Sequence, residues 1–169
     1  ETIAPNCRKI GLSATIKNKS LVLKYLSQKK KSNIIDVEEK SSPNIKILET
    51  KNRVPWSGHM AGYAIEEIYK KIKKSSMSII FVNTRAQAEL IFNKLWHENE
   101  ENLKIAIHHG SLEKEIRRKV ESLMSSGKLD CVVATSSLDL GIDWGKVDLV
   151  IQIGSPKGIA RFLQRIGRS

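Results

Sequence analysis

The sequence predicts an α/β fold, a parallel sheet with helices on both faces, on two observations. After residue 60, short apolar runs alternate with helical patterns of ten or more residues, as strands joined by helical crossovers do. Each apolar run then gives way to a polar stretch, "NTRAQ", "HHGSLE", "ATSSLDLGID" or "GSPKG", and the carboxyl ends of parallel strands are where ligands gather. A hydrophobic content of 40% and a charged content of 28% over 169 residues suit a globular chain holding one domain and a piece of another.

Taken in order, "RKIGLSAT" reads as a short strand entering a polar turn, and "NKSLVLKYLSQ" sets Leu21, Val22, Tyr25 and Leu26 on one face of a helix. The runs "NIIDV" and "NIKILET" read as strands, with "EEKSSPN" a loop between them. The Pro- and Gly-bearing "KNRVPWSGHMAG" reads as a domain boundary, dividing the chain into residues 1–50 and 51–169. Beyond it a helix near 61–74 leads to the strand "MSIIFVN", a helix over 85–97 to "LKIAIHH", and a helix over 113–126 to "LDCVVAT". A short helical turn, the strand "VDLVIQIG" and a last helix from Pro156 complete the order.

Charge narrows the partner. The 29 Lys and Arg against 18 Asp and Glu give +11, a surplus that suits a phosphodiester, although lysine runs such as "QKKKS" are commonly just solvated faces. No apolar run approaches the roughly 20 residues of a membrane span, so no membrane partner is expected. Cys7 and Cys131 are too few for a disulfide framework and lack metal-ligand spacing, which predicts a reduced, cytoplasmic setting with Cys131 as a core residue. His59, His97, His108 and His109 show no HExxH arrangement, and Asp36 in "NIIDVEEK" is followed by Val37, so no metal site is expected.

Four stretches carry candidate chemistry. Thr84 and Arg85 fall at a strand end and helix start, where Thr84 can cap the helix or hold an anion with the same hydroxyl. In "HHGSLEKEIRRKV", Ser111 is the expected cap, Ile116, Val120, Leu123 and Met124 the buried stripe, and Arg117 and Arg118 either solvated charges or a phosphate clamp. "ATSSLDLGID" puts Thr135, Ser136 and Ser137 at one strand end, with Gly141 and Asp143 following. In the last helix Ser155 is the expected cap and Ile159, Phe162, Leu163 and Ile166 the apolar face. Arg161, Arg165 and Arg168 then share the other face, and their mutual repulsion calls for an anion or acidic surface opposite. The spacing favours a polyanionic ligand there over an inert exposed stripe.

In sequence, "GLSAT", "IIFVNTRAQAE", "HHGSL", "VVATSSLDLGID" and "QRIGR" resemble motifs III to VI of superfamily-two helicases. "RVPWSGHM", "LDLGIDWGKVDLVIQIGSPKG" and "RFLQRIGR" resemble the large helicase-related (Lhr-type) group of DExH enzymes, especially its ligase-associated bacterial branch. The resemblance implies RecA-like (P-loop NTPase-like) domains closing on ATP and Mg²⁺. Residues 1–50 would end the first domain, and residues 51–169 would form most of the second.

It further implies an ATP-dependent DNA helicase or translocase, acting on single-stranded or tailed DNA in repair, with partners such as a ligase. Gln164 and Arg165 would face the nucleotide, and Arg168 would be an arginine finger on the γ-phosphate. Gly141 would lie near the nucleotide, with Asp143 near the ribose or ordering an arginine. Thr84, Arg85, Arg117 and Thr135 would contact the strand backbone, and Ser13 and Thr15 would couple the two sites. Leu140 stands where many DEAD-box relatives carry a basic residue, so that contact is not carried over. Motif VI ordinarily continues two residues past Ser169 to another arginine, and no GxxxxGK[ST] occurs, since "SLMSSGKL" has Ser122 and Leu129 at its defining places. The expectation is therefore a piece of a longer enzyme that hydrolyses no ATP alone. An RNA helicase of the same superfamily and a non-enzymatic nucleic-acid-binding module are the alternatives; a Rossmann-type enzyme is disfavoured by the lack of GxGxxG.

Overall fold

The computed structural model describes residues 9–13, 16, 18–27, 33–35, 43–56, 60–139 and 147–167. The chain divides into two compact units, Glu1–Ser42 and Pro43–Ser169, so the division falls ahead of the expected boundary after residue 50. Local bonding accounts for its place. Leu48 packs against the core of the second unit, the Lys51 N–H donates to Glu67 (3.2 Å), and Asn52 Nδ2 donates to the Tyr63 carbonyl (3.5 Å).

In the first unit, helix α1 (Lys19–Leu26) is capped by Asn18, whose Oδ1 accepts from the Leu21 N–H at 3.1 Å. Its expected apolar face is not buried: Leu21 and Tyr25 are exposed. The described parts of the expected strands at "RKIGLSAT" and "NIIDV", and of "NIKILET" in the second unit, are not strands. β-branched residues favour a strand only where a neighbour completes the ladder, and Ile10, Ile35 and Ile47 stand in the open.

The second unit is the predicted sheet. A 3-10 turn at Gly62–Ala64 enters α2 (Ile65–Ile72), followed by β1 (Ser78–Phe81), α3 (Arg85–His97), β2 (Ile105–His108) and α4 (Lys114–Ser125). Then come β3 (Cys131–Ala134), a 3-10 turn at Ser136–Leu138, β4 (Leu149–Gln152) and α5 (Ile159–Ile166). All pairings are parallel, in the order β2-β3-β1-β4, with Phe81 opposite both Ala134 and Gln152.

Because strand side chains alternate, one sheet supplies two cores. Ile80, Val82, Cys131 and Val133 pack beneath α2 and α3 through Ile68, Ile72, Ala88, Ile91 and Leu95. Ile79, Phe81, Val132 and Ala134 pack on the other face against Val120 and Met124 of α4 and Leu138. At roughly 25 cal/mol per Å² of apolar surface removed from water, each fully buried Ile or Phe contributes about 1.5–3 kcal/mol, so the two cores fix the sheet and with it the rim at its carboxyl edge.

Candidate nucleic-acid and nucleotide interface

Three groups of polar side chains meet at the carboxyl edge. The first follows β1. Thr84 caps α3, its Oγ1 accepting from the Gln87 N–H at 3.2 Å, so the capping use of that hydroxyl is realised. Gln87 reaches back past the cap, its Oε1 accepting from the Asn83 N–H (3.1 Å). Arg85 lies exposed on the first turn of α3, 3.7 Å from Glu89, and Glu89 also reaches Nε2 of the buried His109 at 3.4 Å. The segments after β1 and β2 thereby share one carboxylate.

The second group joins β2, α4 and β3. Thr135, half-buried, donates its N–H to the His108 carbonyl (3.2 Å), and its hydroxyl lies 3.5 Å from that of Ser137. Buried His108 bridges Ser137 Oγ (Nδ1, 2.8 Å) and Glu121 (Nε2, 3.1 Å). Burial pushes its imidazole below the ordinary histidine range, and the nearby Glu121 carboxylate only partly offsets this. Arg117 of α4 is half-buried, with a buried Nε that has no hydrogen-bond partner. Helix α4 begins after Glu113, so Ser111 is not its cap, and Ile116 is exposed while Val120 and Met124 are buried.

The third group corrects the expectation for the last helix. Arg165 is turned inward and is 1% exposed. Its Nε and Nη2 donate to the two Asp139 carboxylate oxygens at 2.8 and 3.4 Å, its Nη1 donates to Gln152 Oε1 at 2.6 Å, and its guanidinium lies 4.5 Å over the Phe81 ring. Arg161 reaches the same carboxylate at 3.0 Å. Within the chain, Asp139 thus supplies an anion to Arg161 and Arg165. Phe162 and Ile166 are half-buried, whereas Ile159 and Leu163 of the expected apolar face are exposed.

The start of α5 differs too. It begins after Gly158 (φ 101°) rather than at Ser155 and Pro156. The Ser155 carbonyl accepts from Asn83 Nδ2 at 2.9 Å, so this stretch ties the ends of β1 and β4 before any helix can form. Gln164 is half-buried on α5, and Ser13 is exposed in the first unit. Thr15, Gly141, Asp143 and Arg168 lie outside the described residues. Reasoning from the sequence missed Asp139, Gln152, His108 and Ser137 as organising residues. The available signals were a carboxylate between two leucines in "SSLDL" and a glutamine inside the apolar "LVIQI".

A parallel sheet with helices on both faces and cationic and hydroxyl groups at its carboxyl edge defines a RecA-like helicase domain. The chain belongs to the helicase conserved C-terminal domain family, whose model matches residues 61–169, and it is of the Lhr type. It is 35% identical to ATP-dependent helicase Lhr-Core protein 2 of Thermococcus barophilus, over 100% of this chain and 21% of that protein. It is 38% identical to ATP-dependent helicase Lhr-Core of Saccharolobus solfataricus, over 95% of this chain and 19% of that protein. Among solved structures it resembles Mycobacterium smegmatis helicase Lhr bound to ssDNA and AMP-PNP, with a TM-score of 0.77 and 36% identity, covering 95% of this chain and 22% of that one. The chain thus spans about a fifth of the length of these relatives. No helix among the described residues is long and apolar enough to cross a membrane.

Proposed function

We propose that the chain serves as the second RecA-like domain of an ATP-dependent DNA helicase or translocase. In this reading residues 1–50 hold the end of the first domain and the linker that leads into the second, and residues 51–169 carry the second. The observation that carries it is the fixing of α5: a buried guanidinium–carboxylate pair clamps this helix to the rim, so that Gln164 is offered from a rigid element.

The roles then divide by chemistry. Thr84, Arg85, Arg117 and Thr135 hold the sugar-phosphate backbone of a single strand, which gives salt-dependent binding with little sequence preference. Ser13 and Thr15 couple that strand to the nucleotide. Gly141, Asp143 and Gln164 border the nucleotide, and Arg168 stabilises charge on the transferred phosphoryl group, a role worth roughly 10³–10⁵ in rate. Arg165 acts by holding α5, since its own fork is occupied by Asp139 and Gln152.

Mg²⁺ bound with ATP supplies neutralisation of phosphate charge. Among the described residues no group of three His, Cys, Asp or Glu side chains could hold it, and Asp139 is committed to two arginines. In this reading the metal ligands belong to the first domain, as the motif resemblance implies. DNA as the preferred strand is supported by the likeness to an Lhr helicase bound to ssDNA. A role in repair, a ligase partner and a cytoplasmic setting rest on the motif resemblance and the cysteine usage.

The test is Arg168→Ala in the protein carrying both RecA-like domains. Strand-stimulated ATPase should be lost with strand binding retained, whereas equal loss of both would make Arg168 a strand contact. Tailed DNA and RNA duplexes compared in one unwinding assay decide between the DNA reading and its RNA alternative. The chain of residues 1–169 alone should hydrolyse no ATP, and turnover by it would refute the division of the site between domains.

A further inference from the structure

His108 is buried, carries no role in the reading above and yet joins three elements. Ser137 Oγ donates to the His108 carbonyl at 3.0 Å, the same Oγ lies 2.8 Å from His108 Nδ1, and His108 Nε2 lies 3.1 Å from Glu121 Oε1. Counting protons constrains this arrangement. A serine hydroxyl has one proton, and an ionised carboxylate only accepts. With the Ser137 proton on the carbonyl oxygen, Nδ1 must carry a proton to reach Ser137, and Nε2 must carry one to reach Glu121. All three contacts therefore hold together only with a doubly protonated ring, and a neutral ring forgoes one of them.

The ends of this bridge are not arbitrary. Glu121 sits one turn beyond Arg117 on α4, where helical spacing makes the two neighbours. Ser137 sits two residues beyond Thr135, and the two hydroxyls are 3.5 Å apart. Among the described residues, the charged groups facing the ring are Glu121 and Arg117, both from α4; the segment after β3 offers the hydroxyls of Thr135 and Ser137. The Nε of Arg117 is buried and has no hydrogen-bond partner, and a strand phosphate would supply the acceptor it lacks.

We propose that His108 is a positioning residue of the nucleic-acid rim: its ring ties α4 to the end of β3 and so sets the spacing between Arg117 and Thr135, the two groups that grip successive phosphates. The proposal rests on the reading of Arg117 and Thr135 as strand contacts. His108 touches no strand itself. It acts by holding Ser137 on one side and Glu121 on the other, and a bound phosphate beside Arg117 favours its charged form. Strand binding is accordingly coupled to proton uptake.

The experiment is fluorescence anisotropy of a labelled oligothymidylate with the protein carrying both RecA-like domains, between about pH 8 and pH 5.5, a range that brackets the ordinary histidine value. Arg117→Ala and Thr135→Ala test the underlying reading, and each should weaken binding. His108→Phe, which keeps a ring but no polar atom, should weaken binding roughly fivefold, the scale of one lost hydrogen bond. His108→Asn, which can still reach Ser137, should recover part of that loss. Wild-type affinity should rise as pH falls, by up to about tenfold for each pK unit by which the strand raises the His108 value, and both His108 variants should lose that dependence.

Wild-type affinity in the folded His108→Phe protein, or an undiminished pH dependence in His108→Asn, would overturn the positioning role while leaving the rim intact. Full binding by Arg117→Ala and Thr135→Ala would instead overturn the rim, and the proposal with it. If His108→Phe fails to fold, the His108→Asn profile decides alone.

Discussion

Replacing Asp139 by alanine removes the carboxylate partner of the Arg165 guanidinium, which is 1% exposed, and the cost follows from the geometry. Breaking a buried ion pair from one side costs about 3–5 kcal/mol, because the other charge is left without compensation in a medium that cannot solvate it. Two features place Asp139→Ala toward the lower end of that range. Arg165 keeps its bond to Gln152 and its place over Phe81, and Arg161 is exposed enough to return to water. The expected loss is about 3 kcal/mol, which for a chain of this size lowers Tm by roughly 6–12 °C. Urea unfolding followed by circular dichroism checks it, with the midpoint moving and the slope unchanged. Adding Arg165→Met should restore much of the loss, since two apolar residues in place of the pair leave no stranded charge. A loss under about 1 kcal/mol for Asp139→Ala would mean that the pair behaves as an exposed salt bridge, and the clamp on α5 would be refuted.

The other predictions are local. Thr84→Ala removes the α3 cap and should cost about 1 kcal/mol, whereas Thr84→Ser should cost little; thermal melts distinguish them. For Asp148, partial burial pushes its carboxyl up, but the N–H groups of Ser76 (2.9 Å) and Met77 (3.0 Å) hold it below the ordinary range. Its folded value is depressed, so its contribution is present above the unfolded value near 3.9 and is lost as pH falls through the folded one; Asp148→Asn should flatten acid unfolding in that window. His108 is also depressed, so the unfolded chain binds its proton first. Stability is full above about pH 6.5 and declines as pH falls toward the folded value, and His108→Gln should remove that slope in pH-dependent melts. Cys131 is wholly buried, with its thiol pushed up by desolvation, so iodoacetamide should modify it only on unfolding, as read by mass spectrometry.

What the sequence made legible is what local chemistry decides. Helix α3 runs Arg85–His97 as expected because its cap, Thr84, and its buried positions Ala88, Ile91 and Leu95 all lie within one short stretch. The strands were legible because two packed faces leave little room for polar residues: "SIIF" and "CVVA" are buried throughout. The misses share a different cause. Ser155 and Pro156 look like a helix start, but the Ser155 carbonyl is taken by Asn83, 72 residues upstream. Arg161 and Arg165 look like an outward stripe, but helical spacing says only that they share a face, not whether that face meets water. Asp139 decides that, from 26 residues away from Arg165. The residues that contact ligand in the proposed reading were therefore readable as motifs. Those that hold the motifs in place were hidden, because a buried polar partner is specified by the folded sheet and not by its neighbours in the chain.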